Sequence, residues 1–173
     1  MINATQIRRL VLDDAPEYRA LRLRAFKDHP EAFTSSYEEE VLKPVAASAK
    51  RLASDSSGVF WGAFEGGVMA GMVGLDHEPR IKNRHKAVVI GMYVAPEFAG
   101  QGFGRDLLIT LLDFARNSPL ELLVLTVTRG NDGAERVYLK AGFKSFGIEP
   151  RAIKVHNQYF DKNHMFLQLK EAS

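Results

Sequence analysis

The stretch VAPEFAGQGFGRDLL (94–108) sets Gly100, Gly102 and Gly104 between a strand-like run and a helix-like run. No other feature limits the fold of the chain as much. Glycine adopts dihedrals that side chains resist and lets a ligand approach the backbone closely. A helix that begins just after such a turn offers unpaired N–H groups and the positive end of its dipole, both suited to an anion. Two familiar phosphate turns do not fit. A dinucleotide fingerprint needs G-x-G-x-x-G directly after a strand, then an acid about twenty residues on at the end of the next strand. Here the spacing is G-x-G-x-G, APEFA separates strand from glycine, and Glu121 begins the next strand instead of ending it. A nucleotide-triphosphate loop needs Lys-Ser/Thr after its last glycine, and Arg105-Asp106 follows Gly104 here.

The rest of the chain supplies the elements around that turn. Gln6–Leu12 reads as a strand, and Asp13 or Asp14 caps a helix with Pro16 in its first turn and a stripe of Tyr18, Leu21, Leu23 and Phe26. A loop over 28–40 leads to a second helix, and 44–53 continues in helical composition. Residues 59–65 and 68–75 form a hairpin around Gly66-Gly67, a pair suited to a primed turn. Lys86–Val94 is the next strand. Phe103, Leu107, Leu108, Leu111, Leu112 and Ala115 fall at helical spacing. LLVLTVT (122–128) reads as a strand buried on both faces, 131–140 as a short helix ending at Gly142, and 143–146, 151–155 and 164–169 as closing strands. The expected fold is α/β: a mixed sheet, largely antiparallel at first, then β-α-β-α-β, with helices on both faces. The whole of 1–173 reads as one domain.

Composition narrows the function. The chain is 46% hydrophobic and 25% charged with a net charge of +2, so no strongly charged partner follows from its balance. The basic cluster Arg80, Lys82, Arg84, His85, Lys86 has no interleaved aromatic pattern, and nucleic acid is not expected as a partner. Cysteine is absent, which removes disulfides, thiol nucleophiles and thiolate metal sites. His85, His156 and His164 fit no compact ligand spacing, so no metal is expected. The sequence shows neither a signal-like head nor a run of membrane-spanning length, and a cytoplasmic setting without membrane contact is the expectation.

Two segments together resemble the GNAT superfamily of acyl-CoA-dependent N-acetyltransferases. MYVAPEFAGQGFGRDLL (92–108) resembles its strand-loop-helix motif, [Q/R]-x-x-G-x-[G/A], with Ala99 at the position usually held by Gln or Arg. NDGAERVYLKAGF (131–143) resembles its second signature, in the same order along the chain. The resemblance covers most of the chain and implies acetyl-CoA as co-substrate. The N–H groups of Gly100, Gln101, Gly102, Gly104 and Arg105 would then converge on its pyrophosphate, while Met92 and Val94 would line the pantetheine arm where strands splay apart. It also implies that the Met92 N–H acts as oxyanion donor and the Tyr138 hydroxyl as the acid that protonates the leaving thiolate. Asn131 would bond the pantetheine arm. The plainer readings stand beside these: loop glycines, a core Met92, a helix-capping Asn131 and a packed aromatic at Tyr138.

A general base is harder to find. Some members of the family carry Glu or His on the strand before the glycine turn, where this chain has Val88 and Ile90. Glu31, Glu38, Asp76 and His77 are candidates by region, and none is assigned. The acids Asp28, Glu31, Glu38, Glu39 and Glu40 would favour a cationic amine if they faced the acceptor, whereas Arg151 and Lys154 could hold an acceptor carboxylate. The expected activity is direct acetyl transfer to a primary amine of a small molecule. A protein N-terminal or lysine acetyltransferase is the alternative, and a non-catalytic acyl-CoA-binding module is another. Whether the chain forms a homodimer stays open.

Overall fold

Bulky residues on both sides of the run GVFWGAFE decide how the sheet is covered. Phe60 and Phe64 join one buried cluster, while Val59, Trp61 and Ala63 join another. Successive side chains of a strand point to opposite faces, so a layer must cover each. In a computed structural model, which describes residues 5–171, those layers are helices. The elements in chain order are β1 (Gln6–Arg9), α1 (Ala15–Asp28), α2 (Tyr37–Val41), α3 (Val45–Leu52), β2 (Gly58–Glu65), β3 (Val68–His77) and β4 (Lys86–Val94). There follow α4 (Phe103–Arg116), β5 (Leu122–Thr128), α5 (Asp132–Lys140), β6 (Lys144–Val155) and β7 (Gln158–Gln168). The seven strands form one sheet in the order β1-β2-β3-β4-β5-β7-β6.

Helix α4 covers one face. Its Phe103, Leu107, Leu108, Leu111, Leu112 and Ala115 are buried with Trp61, Val73, Leu75, Val89, Leu123 and Leu125, and Tyr138 of α5 joins them. Helices α1 and α3 cover the other face through Tyr18, Leu21, Ala25 and Leu52, packed with Phe60, Phe64, Met69, Met72 and Tyr93. Burying a side chain such as Leu contributes about 1.5–3 kcal/mol, so α4 anchors its face strongly. Gly74 lies against the Phe60 ring, where an added Cβ would sit 2.4 Å from a ring carbon. The ring fills the space that a side chain would need.

Among the described residues only β4 and β5 run parallel, and they pair over a short length: Lys86 with Leu122, Ala87 with Leu123 and Val88 with Val124. Every other neighbouring pair is antiparallel. Beyond Val88 the two strands share no registered residues, and β4 bulges against β3 opposite Met72–Gly74. Gly91 sits in that bulge at φ 63.

The mixed sheet with helices on both faces agrees with the expected class, but two ends differ from the sequence reading. Strand β1 ends at Arg9 because Asp14 folds the chain into a turn: its carboxylate accepts from the Val11 N–H at 2.8 Å and from both terminal nitrogens of Arg8 at 2.8 Å. At the other end the expected strands at 143–146 and 151–155 are one long strand, β6, bulged between Glu149 and Ile153. Its partner β7 starts at Gln158, well before residue 164. Most of β6 is exposed, so hydrophobic alternation could not report it.

Leu111 is fully buried, while Leu42 is 84% exposed. Leu111→Ala should therefore cost about 2–5 kcal/mol in urea unfolding, and Leu42→Ala should stay within about 0.5 kcal/mol of the parent.

Candidate active site

The glycine turn is built by the strand before it and the helix after it. Ala95 N–H donates to the Ala70 carbonyl at 2.9 Å, fixing the end of β4 to β3, and a short 3-10 turn over Pro96–Phe98 follows. Gly100 and Gly102 then take φ 75 and 87, and Gly102 caps α4. The first α4 bond across the cap runs from the Asp106 N–H to the Gly102 carbonyl at 3.0 Å. The N–H groups of Gly100, Gln101, Gly102, Gly104 and Arg105 donate to no backbone carbonyl among the described residues. Arg105 folds over the turn, its guanidinium 3.1 Å from the point where a Gly102 Cβ would lie.

This turn opens onto the gap between β4 and β5. A cleft of about 900 Å³ is lined by Met92, Val94, Gly100, Gly102, Gly104, Arg105, Asn131 and Tyr138. Gln101 is exposed in the turn and does not line the cleft. A second cavity, of about 300 Å³, lies against Val88, Ile90 and Thr126. Met92, Asn131 and Tyr138 line both spaces. The structure thus brings together the residues expected at a transfer centre, and it puts them where the two cavities meet.

Tyr138 is 7% exposed and packs edge-on against Phe143, with ring centroids 5.8 Å apart. Its hydroxyl bonds no protein group among the described residues, and burial pushes the phenol pKa up. Asn131 does cap α5: its side-chain oxygen accepts from the Ala134 N–H at 3.3 Å. That bond uses the oxygen alone and leaves the amide nitrogen able to donate.

Comparison with known proteins shows the family and the fold. The Acetyltransferase (GNAT) family profile matches residues 17–143. The chain belongs to the GNAT family of acetyltransferases. Membership makes it an acyltransferase with acetyl-CoA as donor. It is 35% identical over 113 residues to the N-alpha-acetyltransferase RimI of Mycobacterium tuberculosis, covering 65% of this chain and 68% of that protein. It is 31% identical over 104 residues to rat N-acetyltransferase 8, covering 60% of this chain but 47% of that protein. Its fold matches a GNAT acetyltransferase from Streptococcus pneumoniae at TM-score 0.84 and 24% identity, over 95% and 99% of the two chains. Salmonella typhimurium yncA, solved with its cofactor acetyl-CoA, matches at TM-score 0.82 and 22% identity, over 98% and 96%.

Other expected residues of this acetyltransferase lie elsewhere. Glu38 is exposed on α2, Asp76 accepts from the Ser57 hydroxyl at 2.6 Å, and His77 Nδ1 lies 3.1 Å from the Ser57 carbonyl. None of the three lines either cavity. Glu31 borders the larger cleft, and its carbonyl accepts from the Thr128 hydroxyl at 2.8 Å. The acids of 28–40 do not line the smaller cavity. Glu40 pairs with Arg22 and Lys43, and Glu39 closes a capping box with Ser36. Arg151 and Lys154 stand over the Tyr159 ring, outside both cavities. His164 Nε2 lies 2.8 Å from Glu149, and no cluster of three metal-ligating side chains occurs among the described residues. No described helix is long and apolar enough to cross a membrane.

Sequence reasoning missed four polar residues of the site. Arg22, Arg51 and Lys162 line the smaller cavity, and Tyr93 lines the larger one with a buried hydroxyl that lacks a partner. A signal existed for one of them. Arg22 sits four residues from both Tyr18 and Phe26, in the middle of an apolar stripe where a surface charge would not be placed.

Gly102→Val places a β-branched residue at φ 87 and crowds Arg105. Acetyl-CoA at a hundred times its dissociation constant should protect the parent by about 2.7 kcal/mol. The variant should lose most of that protection in a thermal-shift assay while still unfolding cooperatively.

Proposed function

We propose that residues 1–173 act as one N-acetyltransferase domain that moves acetyl directly from acetyl-CoA to the primary amine of a small metabolite. The observation that carries this reading is the meeting of two cavities at Met92 and Tyr138. The larger has the unpaired N–H groups of the glycine turn at its mouth and suits a long phosphorylated donor. The smaller, about 300 Å³ and walled by α1, α3, the strands β4 and β5 and Lys162 of β7, is of metabolite size.

In this mechanism the lone pair of a neutral amine attacks the thioester carbonyl carbon. The carbonyl oxygen gains charge and is held by the Met92 N–H, a donor of a kind worth about 2.7–4 kcal/mol in the barrier. The C–S bond then breaks. Sulfur leaves with the electron pair and takes the proton of the Tyr138 hydroxyl; the new ammonium gives one proton to solvent, and the tyrosinate takes one back from solvent. Burial keeps the Tyr138 phenol protonated at neutral pH and so able to donate, while the same shift makes it a weaker acid. The side-chain nitrogen of Asn131 donates to the pantetheine arm, and Val94 lines it.

A second reading has its own support. The mycobacterial relative is named an N-alpha-acetyltransferase, which favours a protein N-terminus as acceptor. Thiol release measured over small amines and over short peptides separates the two. Turnover confined to peptides or folded proteins would overturn the small-metabolite reading.

Tyr138→Phe should lower kcat by about 10²-fold, the low end for a general acid, since a thiolate leaves readily. Affinity for CoA should be nearly unchanged. Because burial raises the phenol pKa, the parent should show no fall in kcat from this group up to about pH 10, its ordinary value. An unaltered kcat in the variant, under conditions where acetyl transfer limits turnover, would return Tyr138 to a packing role.

A further inference from the structure

The smaller cavity has one sign of charge. Three ionisable cations, Arg22, Arg51 and Lys162, line it, and no aspartate or glutamate does. Burying like charges together is unfavourable, and a side chain buried without its partner marks a place where a ligand supplies one. Arg51 is the clearest case. Its Nε is buried without a hydrogen-bond partner, and the guanidinium forms no ion pair among the described residues. Instead it lies over the Phe60 ring, 5.1 Å from the centroid. Arg22 is held between the Tyr18 and Phe26 rings, at 5.6 and 5.0 Å, and is paired with Glu40 at 3.3 Å from behind. Lys162 donates to the Thr34 hydroxyl at 2.9 Å and has no carboxylate within ion-pair distance among the described residues. Phe26, Phe33, Phe60, Met72, Val88 and Ile90 form the apolar part of the wall, and Thr34, Ser35, Thr126, Thr128 and Asn131 add uncharged polar groups.

We infer that the acceptor is an amino acid, whose carboxylate is held by Arg51 with Lys162 and Arg22 and whose apolar side chain lies on the aromatic wall. This rests on the small-metabolite reading above and narrows it. A planar guanidinium fork matches a carboxylate bidentately, and the aromatic rings fix its plane. A polyamine is excluded by the same charges, since nothing in the wall attracts a second cation. The cluster also explains the absence of a base on β4. Nearby cations disfavour an ammonium and shift the bound amine toward the neutral form that the attack requires.

The test compares the twenty common L-amino acids with their carboxamides as acceptors, at saturating acetyl-CoA. At least one apolar amino acid should exceed its carboxamide by tenfold or more in kcat/KM, although the carboxamide has the more readily neutral amine. Arg51→Met should erase that ratio while thermal protection by CoA stays at the parent level, and Arg51→Lys should keep part of it. If Arg51→Met loses CoA protection and so has not folded, Lys162→Met replaces it, with the ratio expected to fall at least threefold. Carboxamides accepted as well as acids would overturn the inference and leave the small-metabolite reading intact. Turnover of peptides with no free amino acid or amine accepted would overturn both.

Discussion

The site depends on how soon two parallel strands separate. β4 and β5 pair over Lys86–Val88 and Leu122–Val124 and no further. A buried backbone donor or acceptor without a partner costs about 1–3 kcal/mol, so an opening in the middle of a sheet needs a reason to persist. Here the bulge at Gly91 turns β4 away, and the Ala95 bond to Ala70 ties the end of the strand to β3. The gap is therefore held open by the pairing on the other side of β4. In the proposed mechanism the pantetheine arm of acetyl-CoA fills it.

The two helices that flank the gap are placed by the same strands. The α4 stripe from Phe103 to Ala115 is buried against the sheet, which fixes the glycine turn and its unpaired N–H groups at one end of the opening. Helix α5 follows β5 directly, capped by Asn131, and Tyr138 is buried in its last turn. Core packing thus sets the position of Tyr138 independently of any ligand. The acceptor side is assembled from distant parts: Arg22 from α1, Arg51 from α3 and Lys162 from β7. Their convergence needs the whole sheet, because β7 reaches the site only by inserting beside β5.

That difference explains what the sequence made legible. The glycine turn and the segment from Asn131 to Phe143 are local features, each contained in one short stretch, so the resemblance to the family could be seen in them directly. The hairpin at Gly66-Gly67 was readable for the same reason, and both glycines do take positive φ, at 58 and 83. The acceptor cations are far apart in sequence, and each has an ordinary exposed charge as its plain reading. None of them was read from the sequence, although Arg22 lies between Tyr18 and Phe26 on an apolar stripe. The acids of 28–40 left the acceptor open for the opposite reason. They are close in sequence and fit either a cationic acceptor or an acidic helix start, and Glu39 and Glu40 serve caps and ion pairs. The β6–β7 hairpin escaped because its exposed residues have no alternation to read.

Amide hydrogen exchange, followed with and without CoA, tests most directly whether the opening and its glycine turn form the donor site. The N–H groups of Gly100 to Arg105 lack backbone partners in the free protein and should exchange rapidly. On addition of saturating CoA they should slow by at least about tenfold, a change of 1.4 kcal/mol in protection, together with the end of β4 around Met92–Val94. Unchanged exchange in both segments, with protection appearing elsewhere in the sheet, would contradict the account.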